Sequence, residues 1–157
     1  MKTTKEELEF LEQSNFIEGE YSSEALDDAV EAWKYAKGVR IPDWYCTLGI
    51  HERLMKRLNP EIAGVKRKCN VWVGGRKCPN AGQINRLISH WESDHSNAKT
   101  EEEIKEAHVA WEKIHPFEDG NGRTGRIIMN IQRLNNGLPI LVIHQGEEQT
   151  DYYQWFK

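Results

Sequence analysis

Apolar residues recur at three- and four-residue spacing along most of the chain, the period of helices that each bury one stripe. Thr4 and Glu7 form a capping box ahead of Leu8 and Leu11. Residues 23–37 carry Leu26, Ala29, Val30 and Trp33 on one face. Asp43 is placed to cap a helix bearing Trp44, Leu48, Met55 and Leu58 that stops before Pro60. Ile84, Leu87, Ile88 and Trp91 follow Pro79 as a further stripe, and Thr100 with Glu103 repeats the capping box ahead of Ile104, Ala107, Trp111 and Ile114. A last strong pattern runs from Arg123 to Asn136 through Ile127, Ile131 and Leu134, and Gly137 and Pro139 end it. One stretch departs from this period. Lys68 to Val73 alternates and meets Gly74-Gly75, which predicts a short strand or hairpin in an otherwise helical protein. The pattern therefore predicts a mainly α fold, a helical bundle with one hairpin.

Composition narrows the class. At 157 residues and 38% hydrophobic, with six tryptophans, the chain suits one domain spanning 1–157 with a single core. A net charge of −4 with both signs interspersed lacks the basic footprint of a nucleic-acid binder. The opening MKTTKEELEF has no apolar signal core, and no segment is long and apolar enough for a membrane span. Cys46, Cys69 and Cys78 are odd in number, and Cys69, Cys78, His90 and His95 fit no common zinc spacing, so reduced thiols and a cytoplasmic protein are expected.

The densest chemistry lies in His115-Pro116-Phe117-Glu118-Asp119-Gly120-Asn121-Gly122-Arg123-Thr124-Gly125-Arg126. Gly120, Asn121 and Gly122 stand at the start of a helix, where a permissive backbone and unpaired N–H groups form an anion site suited to phosphate. The Asn121 amide can add a donor. Arg123 and Arg126 are three residues apart and share a face, with Asn130 nearly in line, and guanidinium forks match phosphate oxygens. Asp119 can cap the helix or hold Mg²⁺ beside bound phosphates. His115 is either a structural histidine or, so close to a phosphate site, a base for an attacking hydroxyl. Phe117 reads as the anchor that pins the loop in the core and aims His115 and Asp119 away from it.

These residues resemble the Fic family signature HxFx[D/E]GNGRxxR at every defined position. Residues 64–75 (GVKRKCNVWVGG) look like the family's β-hairpin flap region, and similarity extends over most of residues 14–145. The resemblance implies a Fic fold with the flap beside the active site. It also implies a protein adenylyltransferase that moves AMP from ATP to a Tyr, Ser or Thr hydroxyl of a target protein, with the chain itself among the candidate targets. Carried over by position, His115 is the base and Asp119 holds Mg²⁺. Gly120, Asn121 and Gly122 form the anion hole, and Arg123 and Arg126 take the β- and γ-phosphates.

A second motif lies upstream. Ser14-Asn15-Phe16-Ile17-Glu18-Gly19 resembles the family's inhibitory pattern [S/T]xxxE[G/N]. Its position implies that residues 4–19 are an N-terminal inhibitory helix whose Glu18 pairs with Arg126. Ser14 and Glu18 would share a face one turn apart. In the flap, Cys69, Asn70, Val71, Trp72 and Val73 are the candidates for pairing with an extended target segment. Near the end, Tyr152 or Tyr153 either contacts the nucleotide base or packs in the core. Related outcomes stay open at this point: kinase or other phosphate-linked transfer, AMP removal, a nucleotide-binding regulator without catalysis, and a homo-oligomeric assembly. Gly122-Arg123 favours AMP transfer, since family kinases depart from the motif near that point.

Overall fold

Short polar side chains set four of the helix starts. Thr4, Ser22, Asp43 and Thr100 accept hydrogen bonds from the N–H groups of Glu7, Ala25, Cys46 and Glu103, and the Thr4–Glu7 box closes in both directions. In the computed structural model, which describes residues 2–157, the helices are α1 (Lys5–Ile17), α2 (Ser23–Ala36), α3 (Trp44–Met55), α4 (Ile84–His95), α5 (Glu101–Ile114), α6 (Asn121–Asn135) and α7 (Glu147–Gln154). The third helix ends at Met55, short of the expected Leu58, which is exposed. Pro60 disfavours helical geometry at Asn59, and the Asn59 N–H closes the last turn on the Met55 carbonyl instead. No helix among the described residues is long and apolar enough to cross a membrane, and all three cysteines are free.

Helix α6 is the axis of the bundle and packs against α1, α2, α3 and α5. The run from Arg123 to Arg133 is buried on every side, so its arginines do not form a solvated face. Phe10, Trp33, Ile50, Ile104, Trp111, Phe117 and Ile127 make the centre of the core. Helix α1 is fixed onto α2 at several points. Phe10 meets Trp33 edge-on with centroids 5.5 Å apart, and Glu7 accepts from Trp33 Nε1 at 2.9 Å and pairs with Lys37. After α6 the chain returns along it, where the Asn130 amide bonds both the N–H and the carbonyl of Leu141.

The hairpin consists of β1 (Trp72–Val73) and β2 (Arg76–Lys77), paired antiparallel with Trp72 opposite Lys77. Gly74 and Gly75 both have positive φ, the turn geometry that a two-residue hairpin loop needs. Cys69, Asn70 and Val71 lie outside the strand, which is shorter than the alternation suggests. The reason is Arg67. Its buried guanidinium takes the Cys69 carbonyl at 2.9 Å, together with those of Pro79 (2.6 Å), His115 (2.6 Å) and Ile114 (3.2 Å). The Arg67 N–H adds a bond to the Pro116 carbonyl at 2.9 Å. Both arms of the flap are thereby tied to the end of α5.

Replacing Arg67 by Met leaves four carbonyls without their donor, at about 1–3 kcal/mol for each one that stays buried. Arg67→Met is expected to lower the urea midpoint by the equivalent of at least about 3 kcal/mol and to expose residues 69–79 to limited proteolysis. An unchanged midpoint and digestion pattern would remove the clamp from the account.

Candidate active site

The loop between α5 and α6 is held by burial of Phe117 and by hydrogen bonds from His51 and Asn121. His115 ends α5 in the left-handed region, φ 52° and ψ 63°, unusual for a residue with a side chain. Two residues on, Phe117 is fully buried between Trp44 (centroids 5.6 Å) and His51 (3.7 Å), all three rings nearly parallel. His51 Nδ1 accepts the Gly64 N–H at 3.0 Å, so Nε2 carries the proton and donates to the Asp119 carbonyl at 2.8 Å. Burial pushes the His51 pKa down to about 4, so this ring stays neutral. Gly120 has φ 83°, and a Cβ there would stand 2.9 Å from Met55 Sδ and 3.1 Å from His51 Nε2. Glycine is required on both counts.

No side chain caps α6. The Asn121 amide is occupied, accepting the Phe117 N–H at 2.9 Å and donating to the Phe117 carbonyl at 2.8 Å. It shapes the loop and is not the free donor expected from the sequence, so only its backbone N–H is left for an anion. The first-turn N–H groups have no intrahelical acceptors, as at any uncapped helix head. A Glu18 oxygen lies over this turn, only 2.5 Å from where a Gly122 Cβ would stand.

Arg126 joins three helices. Its Nε donates to Ser14 Oγ at 2.8 Å, and Nη2 donates to the Ser14 carbonyl at 3.1 Å and to Glu18 Oε1 at 2.8 Å. Nη1 reaches the Tyr152 hydroxyl at 3.4 Å. That hydroxyl lies 2.7 Å from His108 Nε2 on α5, and burial holds His108 neutral, with a pKa near 3. The Arg126 side chain is 2% exposed and the Glu18 side chain 35%, so the ion pair closes a buried charge at the surface of a cavity.

That cavity has a volume of about 810 Å³. Its wall includes Glu18, Gly122, Arg126 and His115, with the flap residues Val73, Arg76 and Lys77 on one side and Tyr153 on the other. Burial moves the His115 imidazole below its ordinary pKa. The Glu112 main-chain carbonyl opposes that shift, and the Arg67 charge adds to it. A ring free of its proton can accept one from a hydroxyl.

Asn130, Asp119 and Arg123 stand off the cavity wall, whereas Tyr152 and Tyr153 are part of it. Asn130 is fully buried against Leu141 and has no access to a nucleotide base, because its amide is consumed in holding the returning chain. Tyr152 is buried, packed on Trp155 and Phe156, with its hydroxyl on Arg126 and His108. Tyr153 is half exposed at the rim. Among the described residues, Asp119 and Arg123 do not line the cavity. The Asp119 carboxylate is exposed and accepts the Gly120 N–H through Oδ1 at 2.8 Å. Arg123 is buried against Met55 Sδ at 3.4 Å, and its Nε has no partner.

The family pattern of Fic/DOC proteins matches residues 44–132, which holds the loop, the flap and most of α6. The chain belongs to the Fic/DOC family. It is 36% identical over 115 residues to a protein adenylyltransferase Fic of Aedes aegypti, and 33% identical over 135 residues to one of Drosophila mojavensis. Those matches cover 70% and 80% of this chain but only 23% and 27% of the relatives, so the chain spans about a quarter of their length. Among solved structures, Fic-1 of C. elegans superposes with a TM-score of 0.79 at 19% identity, over 94% of this chain and 53% of that one. A Fic-domain signaling protein of Bacteroides thetaiotaomicron gives 0.75 at 20% identity, over 94% and 69%. The Fic fold is therefore shared well beyond recognisable sequence.

Three residues of this Fic site are silent in the sequence. Arg67 sits in a Lys-Arg-Lys run that reads as solvated, and His51 within α3 and Glu112 in the last turn of α5 belong to no local motif. Glu112 is the most unusual. It lines the cavity beside Arg126, and its Oε1 is buried without a partner. Burial raises its pKa to about 8; Arg126 opposes the shift and Glu18 adds to it. The native chain thus keeps a proton on Glu112 that the unfolded chain releases near 4.5. The stability of the neutral form is complete below that value and falls as pH rises toward 8. Glu112→Gln is expected to match the parent in melting temperature near pH 4.5 and to exceed it by several degrees at pH 8.5, roughly 2–4 °C for each kcal/mol. Parallel melting curves at both pH values would contradict a neutral buried Glu112.

Proposed function

We propose that this chain is a protein adenylyltransferase that transfers AMP from ATP to a hydroxyl side chain of a target protein, and that Glu18 restrains it. The observation that carries the reading is the placement of the Glu18 carboxylate on Arg126 and over Gly122, at a helix head whose N–H groups suit a phosphate. The names of the insect relatives support the activity.

In this reading His115 takes the proton from the target hydroxyl as its oxygen attacks the α-phosphorus. The bond from that phosphorus to the bridging oxygen breaks, and pyrophosphate leaves. Backbone N–H groups of Gly122 and its neighbours stabilise the charge gathering on the α-phosphate. Arg126 holds the departing phosphates from the cavity wall, and Arg123, buried off that wall, adds positive charge nearby. The exposed Asp119 carboxylate suits Mg²⁺, which favours one or two protein carboxylates completed by water and phosphate oxygens, and a bound ion would offset the phosphate charge. No cluster of three or more metal-binding side chains occurs among the described residues.

Glu18 and a γ-phosphate would compete for the same guanidinium. Glu18→Gly is therefore expected to raise transfer by at least about tenfold, the value of 1.4 kcal/mol. ATP labelled at the α-phosphate should mark protein, whereas label from the γ-phosphate would indicate a kinase. His115→Ala should abolish the transfer while sparing ATP binding by calorimetry. Equal labelling with and without Glu18, at matched ATP and Mg²⁺, would sink the inhibitory role.

A further inference from the structure

The chain carries a net charge of −4, yet no Asp or Glu occurs between Glu61 and Glu92. That stretch holds Lys66, Arg67, Lys68, Arg76, Lys77 and Arg86, and it contains the whole flap. Arg67 is consumed by the carbonyl clamp. Arg76 and Lys77 are exposed on β2 and line the cavity, and Lys113 on α5 is exposed and lines it as well.

Elsewhere the protein matches many of its cations with carboxylates: Lys34 with Glu31, Lys37 with Glu7, Arg57 with Asp28, Arg126 with Glu18 and Arg133 with Glu101. Among the described residues, Arg76, Lys77 and Lys113 have no such partner, although acidic side chains are the more numerous on this chain. The two acidic side chains on the cavity wall do not meet this charge. Glu18 is spent on Arg126, and burial keeps Glu112 protonated. Arg76 and Lys77 sit beside the exposed Val73 and Trp72, on a strand pair open to an extended chain, and Lys113 lines the same cavity from α5. Unpaired charge of one sign around a concave mouth concentrates partners of the other sign.

We propose that the flap and the facing Lys113 select target segments that carry acidic residues within a few positions of the hydroxyl to be modified. The selection rests on the transfer reading given above. Apolar contact with Val73 and Trp72 would seat the segment, and Arg76, Lys77 and Lys113 would choose among seated sequences by charge. Such selection acts through exposed pairs, so it is strong at low salt and weak at high salt.

The test uses the full chain carrying Glu18→Gly and fluorescent twelve-residue peptides with a central Tyr, Ser or Thr. The flanks are rich in Glu, in Gln or in Lys. Binding is read by anisotropy, apart from label transfer, so a failure of the transfer reading leaves this test intact. The Glu-flanked peptides are expected to bind about fivefold to tenfold more tightly than the Gln-flanked ones at low salt. The ratio should fall toward one in Arg76→Ser/Lys77→Ser and at 0.5 M salt, and should invert in Arg76→Glu/Lys77→Glu. Equal binding of the three sets, no binding of any, or an acidic preference that survives the charge reversal would overturn the proposal. So would a double variant that raises the KM for ATP and leaves the peptide ratio unchanged, because the cations would then serve the nucleotide.

Discussion

A guanidinium removed from water must find donors' partners and countercharge on the spot, and Arg126 is the place where this protein meets that demand. Its partners come from a serine hydroxyl and carbonyl on the first helix, a glutamate at that helix's end and a tyrosine on the last helix. The two ends of the chain therefore converge on the middle of α6. One charge thus ties the first and last helices to α6. Ser14 keeps part of that satisfaction in place if Glu18 moves, because its two contacts do not involve the glutamate.

The loop ahead of α6 solves a different problem, which is to keep flexible residues in one shape. Phe117 supplies the burial, sandwiched between Trp44 and His51. The hydrogen bonds come from His51, which grips the Asp119 carbonyl, and from Asn121, which closes on the Phe117 backbone. A motif usually read as chemistry is thus partly scaffold. Of its side chains, only His115 and Arg126 reach the cavity wall, with Gly122 between them.

Much of this was legible in the chain itself. Caps and apolar spacing located the first six helices but not α7, which has neither a side-chain cap nor a strong apolar stripe. The Gly-Asn-Gly turn marked the helix head, and Ser14 and Glu18 marked its upstream neighbour. What could not be read depended on distant segments. A basic run gives no sign that Arg67 lies beneath the flap, since its acceptors come from residues up to 48 positions away. The strand was oversized in prospect because that same arginine takes the Cys69 carbonyl. Asn121 and Asn130 look like ligand groups until the backbone atoms that occupy them are located.

Arg67 holds the flap entirely through main-chain carbonyls. Every residue type offers the same carbonyl, so the fastening does not depend on which side chains the hairpin displays. Where the hairpin stands and what it presents are separately inherited properties. Such a hairpin can change the side chains it displays, like a blade replaced in a fixed handle, while the geometry around His115 persists.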